Sequence, residues 1–226
     1  DLPNVQEELL KTIHAIGKPV VLVLMNGSAV SIQWADQHIP AIIEAWYPGQ
    51  AGGTALADVL FGDYNPAGRL PVTFYQSIDD LPPFKDYDMA KGRTYRYFKG
   101  EPLYAFGHGL SYTQFAYSDV RITPPQPHTG ECVDVSVTVK NTGGWAGDEV
   151  VQLYVRDVEA SAVVPVRQLA GFERIHLQPG AAQTVRFTLQ PEQFSLVTDA
   201  GQRLIEPGRF EIAVGGGQPG LADGVL

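Results

Sequence analysis

The chain has 226 residues, 44% hydrophobic and 18% charged, with a net charge of −9. Such a composition supports a packed core in one large domain or two ordinary ones and excludes a disordered polymer. The acidic balance makes a phosphate backbone a poor partner, which sets nucleic acid aside, and no apolar run approaches the roughly 18 residues of a membrane span.

Asn4 followed three residues later by Glu7 has the form of a capping box, and Val5, Leu9, Ile13 and Ile16 recur at helical spacing, with Leu10 widening the stripe. Gly17 and Pro19 then stop the segment, so a helix is expected over residues 4–16. Two apolar runs follow, at residues 20–25 and 41–47, with a short helical turn near residues 33–37 between them. The first run is apolar on both faces, as in a strand covered from both sides. The second leads into Pro48-Gly49-Gln50-Ala51-Gly52-Gly53 and a helical stretch at 54–61. Strand, glycine turn and helix in this order belong to an α/β domain with a parallel sheet. Such a sheet normally has four or more strands. Residues 1–75 therefore read as the C-terminal part of an α/β sandwich domain, with an open sheet edge and an apolar face lacking a partner.

Residues 76–115 have little periodicity and form a long connecting loop, rich in aromatic residues from Tyr95 to Phe106. From residue 116 the pattern changes to short alternating runs separated by Pro124-Pro125, Asn141-Thr142-Gly143-Gly144, Pro179-Gly180 and Pro207-Gly208. About seven short strands over residues 116–226 predict a fibronectin type III-like β-sandwich. The glycine-rich tail after Gly215 is expected to pack loosely. The fold class is thus α/β followed by all-β.

Few residues stand out as chemical candidates. Cys132 is the only cysteine and lies in an alternating run, which suits a small strand residue better than a nucleophile. Gly49, Gly52 and Gly53 fit neither G-x-G-x-x-G nor the P-loop pattern and read as tight strand-to-helix packing. His14, His38, His108, His128 and His176 show no metal-ligand spacing, so neither a metal nor a cofactor is expected. Glu7-Glu8 and Asp79-Asp80 are adjacent pairs whose side chains diverge. Asp58 and Asp63 read as helix surface and turn.

The phrase WYPGQAGGTALADVLFGDYNPAGRLPVTF resembles the C-terminal domain of glycoside hydrolase family 3. LYAFGHGLSYTQF is similar to the segment that leads out of that domain, with His108 where Tyr or Phe is commoner. EVVQLYVRD and VRQLAGFERIHLQPGAAQTVRFTL resemble the fibronectin-like domain appended to many members. Within the family, GRTYRYFKG is similar to the β-xylosidase and α-arabinofuranosidase branch.

The resemblance implies a retaining, exo-acting β-glycosidase that releases single sugars from the non-reducing ends of plant polysaccharide oligomers. A β-xylosidase comes first and a β-glucosidase second. Retaining enzymes hold two carboxyl groups about 5–5.5 Å apart, one attacking the anomeric carbon and one protonating the leaving oxygen. In the family the nucleophile is an Asp of an N-terminal barrel and the acid/base is a Glu on a loop of the sandwich domain. Both are expected upstream of residue 1, so no catalytic residue is carried over to this chain, and alone it is expected to be inactive. The implied partners are an oligosaccharide or glycoside substrate and the missing barrel domain, in cis or as a separate chain. The implied location is periplasmic or secreted. Asp1 follows neither an initiator Met nor a signal peptide, as in a processed protein or a piece of a longer one. Arg93, Tyr95, Arg96 and Tyr97 form the one substrate-proximal candidate cluster, since aromatic faces stack on sugar C–H surfaces and Arg bonds hydroxyls. The same residues also suit a plug that packs the loop against the sandwich. The alternative to an enzyme is a non-catalytic carbohydrate-binding or docking module of the same fold.

Overall fold

The computed structural model describes residues 1–222 and 224–226. It divides into two units, one comprising Asp1–Tyr64, Val72–Asp86 and Gly100–Tyr104, the other Asn65–Pro71, Tyr87–Lys99 and Ala105–Leu226.

The first unit opens with α1, Asn4–His14. The expected Asn4 cap is displaced by one residue. Pro3, with φ −55°, is the N-cap, its carbonyl accepts from the amides of Gln6 and Glu7, and no side chain caps the helix. Pro3, with ψ 134°, is still extended, and Asn4 is already the first helical residue. Gly17, at φ +76°, turns the chain out of the helix. Strand β1, Val21–Leu24, then pairs in parallel with β2, Ala41–Glu44, from Val21↔Ala41 to Leu24↔Glu44. The crossover carries α2, Gln33–His38. Helix α3, Gly52–Phe61, ends at Gly62, which takes φ +83° as a left-handed C-cap.

The core of this unit is small: Leu10, Leu24, Ile32, Ala35 and Ile39, flanked by Trp34, Ile42 and Tyr104. Leu10 is 7% exposed, whereas Val5 and Leu9 are 81% and 59% exposed. Ile13, Ile16, Val21 and Met25 are exposed as well. The periodic stripe read from the sequence therefore faces outward, and the residue that seemed only to widen it is the one that packs. Among the described residues the parallel sheet has two strands, so the open edge and the bare apolar face expected of residues 1–75 are both present.

The second unit is an antiparallel sandwich. One sheet has the order β10-β5-β6 and the other β3-β4-β7. These are β3 Phe115–Thr123, β4 Val133–Asn141, β5 Gly147–Asp157, β6 Gln168–Leu177, β7 Ala182–Leu189 and β10 Phe210–Gly215. Alternation carries the packing: Val133, Val135, Val137 and Val139 of β4 meet Val151, Leu153 and Val155 of β5 in one core with Ile175, Leu177, Val185, Leu189 and Val214. The α/β part followed by an all-β sandwich agrees with the fold class read from the sequence. A two-stranded ribbon, β8 Leu196–Val197 with β9 Arg203–Leu204, was not anticipated. It is too short for a periodic signal. Residues 76–115 hold 3₁₀ turns at Ile78–Asp80 and Met89–Lys91 and one helical turn, α4, Thr94–Tyr97. The tail corrects an expectation. Gln218 is buried and donates to the Phe106 carbonyl, and Leu226 exchanges two backbone hydrogen bonds with Val214. Glycine there permits close approach: a Cβ on Gly215 would lie 2.8 Å from the Val225 side chain.

Candidate functional site

Within the first unit, polar groups converge at the carboxyl ends of β1 and β2. Asn26 Nδ2 donates to the Ser28 carbonyl at 2.7 Å and to Glu44 Oε2 at 3.2 Å, and Trp46 N donates to Glu44 Oε1 at 3.0 Å. Trp46 adopts φ +52°, a strained conformation for a non-glycine residue. Burial raises the Glu44 carboxyl above the ordinary carboxylate range, and the bonds from Trp46 and Asn26 offset part of that rise. Tyr47 lies so close over Gly27 that a Cβ there would sit 2.7 Å from its ring. Carboxyl ends of parallel strands are where open α/β sheets hold ligands. A carboxylate, an amide and an exposed aromatic ring are suited to hydroxyl-bearing molecules. Nothing local in the sequence marks these residues, because each lies in a run that looks like strand or turn.

The Arg93–Tyr97 cluster lies in the second unit on α4. The Tyr95 ring stacks on Phe106 with centroids 4.2 Å apart and meets Tyr154 edge-on at 6.3 Å. Its hydroxyl accepts from the Leu169 amide at 3.2 Å. Arg96 donates from Nη2 to Gln168 Oε1 at 3.0 Å, and its carbonyl accepts from the Val166 amide at 2.6 Å. Tyr95 and Arg96 are thus engaged with the start of β6. Arg93 and Tyr97 are half-buried. One helical turn carries residues 95 and 97 about 200° apart, so the four side chains do not converge on one point.

Several of the other carboxylates are occupied in capping and pairing. Glu7 and Glu8 both reach Lys11 Nζ, at 2.7 and 3.3 Å. Asp80 accepts from the Ser77 amide and closes a capping box around the 3₁₀ turn. Asp58 lies on α3 and Asp63 in the turn after it. Trp34 stacks on His38 at 4.5 Å, with His14 edge-on at 5.7 Å from Trp34. His176 Nδ1 lies 2.6 Å from Asp148 Oδ1. Partial burial raises the Asp148 carboxyl, but the bonds with His176 and Arg174 outweigh it and hold it below the usual range. Of the three glycines expected to serve tight packing only Gly52 does so: a Cβ there would lie 2.5 Å from Pro48, whereas at Gly49 and Gly53 it would meet open space. Among the described residues no group of three or more His, Cys, Asp or Glu side chains is arranged to hold a metal ion.

A buried polar network in the second unit was missed from sequence. Arg69 Nη2 donates to Glu149 Oε2 at 2.9 Å, and the Tyr117 hydroxyl donates to Glu149 Oε1 at 2.8 Å. Nearby, Gln152 donates to the carbonyls of Gly107 and Gly216 and accepts from the Tyr154 hydroxyl. Asn65 Nδ2 donates to the Ala146 carbonyl, and its Oδ1 accepts from Ser111 and the Tyr112 amide. A signal did exist. Glu149 has the same parity as Val151, Leu153 and Val155, so period-2 alternation puts it inside.

Comparison with known proteins fits this architecture. Residues 1–112 match the glycosyl hydrolase family 3 C-terminal domain, and residues 149–218 match the fibronectin type III-like domain. A periplasmic beta-glucosidase of Salmonella typhimurium is 43% identical, covering 95% of this chain and 29% of its own length. A xylan 1,4-beta-xylosidase of Xylanibacter ruminicola is also 43% identical, over 95% of this chain and 24% of its own. A beta-glucosidase of Listeria innocua, solved with gluconolactone, superposes with a TM-score of 0.86 at 34% identity, over 100% of this chain and 32% of that one. One of Erythrobacter marinus gives 0.84 at 41% identity, over 95% and 29%. This chain therefore spans less than a third of the length of these relatives. Through its C-terminal domain and the fibronectin type III-like domain that follows, the chain belongs to glycosyl hydrolase family 3.

Proposed function

We propose that this chain is the C-terminal portion of a retaining, exo-acting β-glycosidase, a β-xylosidase or a β-glucosidase, acting on the non-reducing ends of plant polysaccharide oligomers. The observation that carries this reading is the pair of domain matches in family order, on a chain less than a third as long as relatives named for those two activities. In this reading the nucleophile Asp and the acid/base Glu belong to residues that precede residue 1, in a barrel domain joined in cis or supplied as a second chain. The exposed stripe of α1 supports this, since an amphipathic helix is stabilised by covering its apolar face. A periplasmic or secreted location is proposed with it, supported by the relative named as periplasmic.

Arg93, Tyr95, Arg96 and Tyr97 are proposed as a segment at the rim of the sugar-binding cleft, anchored on the sandwich by Tyr95 and Arg96. Two experiments test the reading. Aryl-β-xyloside and aryl-β-glucoside hydrolysis is measured for the 226-residue chain alone and for the chain joined to an upstream barrel. Turnover is expected only for the joined protein, because losing both carboxyl groups removes the covalent route. Hydrolysis by purified 226-residue material, abolished by a substitution within it, refutes the assignment. In the joined protein, Tyr97→Ala should raise KM at an unchanged melting temperature. An unchanged KM removes the rim role.

A further inference from the structure

The sandwich carries a cleft of about 260 Å³ lined by Tyr154, Val155 and Arg156 of β5, Glu211 and Ala213 of β10, Val166 and Arg167 ahead of β6, and Pro219 and Gly220 of the tail. Its charges do not balance. Arg156 Nη1 pairs with Glu211 Oε2 at 3.2 Å. Arg167 has no carboxylate partner among the described residues. Its Nη1 donates to Gln218 Oε1 at 3.2 Å and to the Pro219 carbonyl at 3.0 Å, both neutral acceptors, and among the described residues no acceptor meets Nε or Nη2. Arg167 is half-buried, and burial, with a smaller contribution from the like charge of Arg156, disfavours its charged form, while Tyr154 offsets part of that effect. An arginine nonetheless stays protonated in proteins. A guanidinium drawn partly out of water next to another cation is an arrangement that proteins ordinarily avoid by pairing. Here it occurs in a chain whose net charge is −9.

We propose that this cleft binds a small organic carboxylate, with Arg167 as the group that recognises the anion. A guanidinium offers parallel N–H donors that match the two oxygens of a carboxylate. The two donors left on Arg167, Nε and Nη2, are adjacent and suited to such a bidentate contact. Among the described lining residues Glu211 stays on Arg156, which leaves the Arg167 charge for one negative ligand. Val155, Val166, Ala213 and Pro219 give the remaining wall an apolar character that inorganic anions cannot use. The volume falls below the 300–1,000 Å³ of drug-sized sites, which limits the ligand to about one sugar ring. A hexuronate has this combination of one carboxylate and a ring with C–H faces.

The test is calorimetric titration of the 226-residue chain with D-glucuronate, D-glucose and inorganic phosphate. Glucuronate should bind saturably at one site and glucose should not. Arg167→Gln should weaken glucuronate at least about tenfold, as expected for loss of a charge-assisted bidentate contact. Phosphate binding as tightly as glucuronate would show oxyanion capture alone and overturn the organic class. Absence of saturable glucuronate binding, or equal binding by Arg167→Gln, overturns the site. Should Arg167→Gln not fold, nuclear magnetic resonance on the unsubstituted chain decides. Glucuronate must then shift the Arg167 Nε–H signal and the amides of Val166 and Gly220, and unmoved signals there refute the proposal.

Discussion

Substituting Arg69 by Met tests whether the buried network holds the second unit together. The Arg69 and Glu149 side chains are 10% and 4% exposed and 2.9 Å apart. Removing one partner of a buried pair leaves an uncompensated charge and costs about 3–5 kcal/mol. That is a large share of the roughly 5–15 kcal/mol by which a domain is stable. The cost should depend on pH, with a definite sign. Desolvation already raises the Glu149 pKa above its ordinary value, and the Arg69 charge is the largest influence opposing it. Without Arg69 the folded pKa rises further. Between about 4.3, the unfolded value, and that raised value, the folded state binds one more proton than the unfolded state. Stability contributed by the protonated group is therefore present at low pH and lost as pH rises, by about 1.4 kcal/mol per unit within the window. Arg69→Met should be more stable at pH 5 than at pH 7, and Arg69→Met with Glu149→Leu should exceed Arg69→Met at pH 7. Backbone hydrogen exchange at Val151, Leu153 and Val155, corrected for intrinsic rates, reports opening of the sandwich core. A cost below about 1 kcal/mol at pH 7, or one that grows on acidification, would refute the reasoning.

Gly107→Ala should destabilise the second unit by about 3 kcal/mol or more, read from the same amides. Gly107 sits at φ +80°, and its new Cβ would lie 2.2 Å from the oxygen of the buried Gln152. Leu10→Ala should cost the first unit about 2–4 kcal/mol, while Leu9→Lys, at an exposed position of the same helix, should change it by less than about 0.5 kcal/mol in this chain. Chemical denaturation followed by Trp34 and Trp46 fluorescence separates the two, and equal losses would mean that the α1 stripe is covered. Tyr95→Phe should cost about 1 kcal/mol for the bond to the Leu169 amide, and Tyr95→Ala more, through the lost stack on Phe106. Identical stability of all three proteins would rule out anchoring by Tyr95.

The order and type of the long elements were legible because their patterns are strong. Period-2 alternation in Val133, Val135, Val137 and Val139 yields a strand buried on one face whatever surrounds it. Partner choice was not legible. Helical spacing groups Val5 with Leu9 and Ile13, and periodicity cannot say that Leu10 meets Leu24 and Ile39 instead. Pro3 against Asn4 as the cap is a contest of one residue, which local pattern does not settle. The tail reads as flexible because glycine is flexible, yet glycine is also what admits Val225 beside Gly215. Composition cannot separate these two uses.

The polar residues show the same limit. The phrase from Asn65 to Pro71 reads as the end of the α/β part, and its resemblance to the family rests partly on Gly-Arg-Leu-Pro. In the structure those residues belong to the second unit, where Asn65 ties the Ala146 carbonyl to Ser111 and Tyr112, and Arg69 meets Glu149. A buried carboxylate at the end of an apolar strand is costly unless a cation and a hydroxyl reach it. Arg69 and Tyr117 supply both from positions 80 and 32 residues away. Parity alone places Glu149 inside, and its burial then demands partners. Only the fold can name them, since tertiary pairing leaves no local pattern in the chain. A motif recognised by its wording in one domain thus has its physical role in the next, and the Arg69→Met measurement tests that role directly.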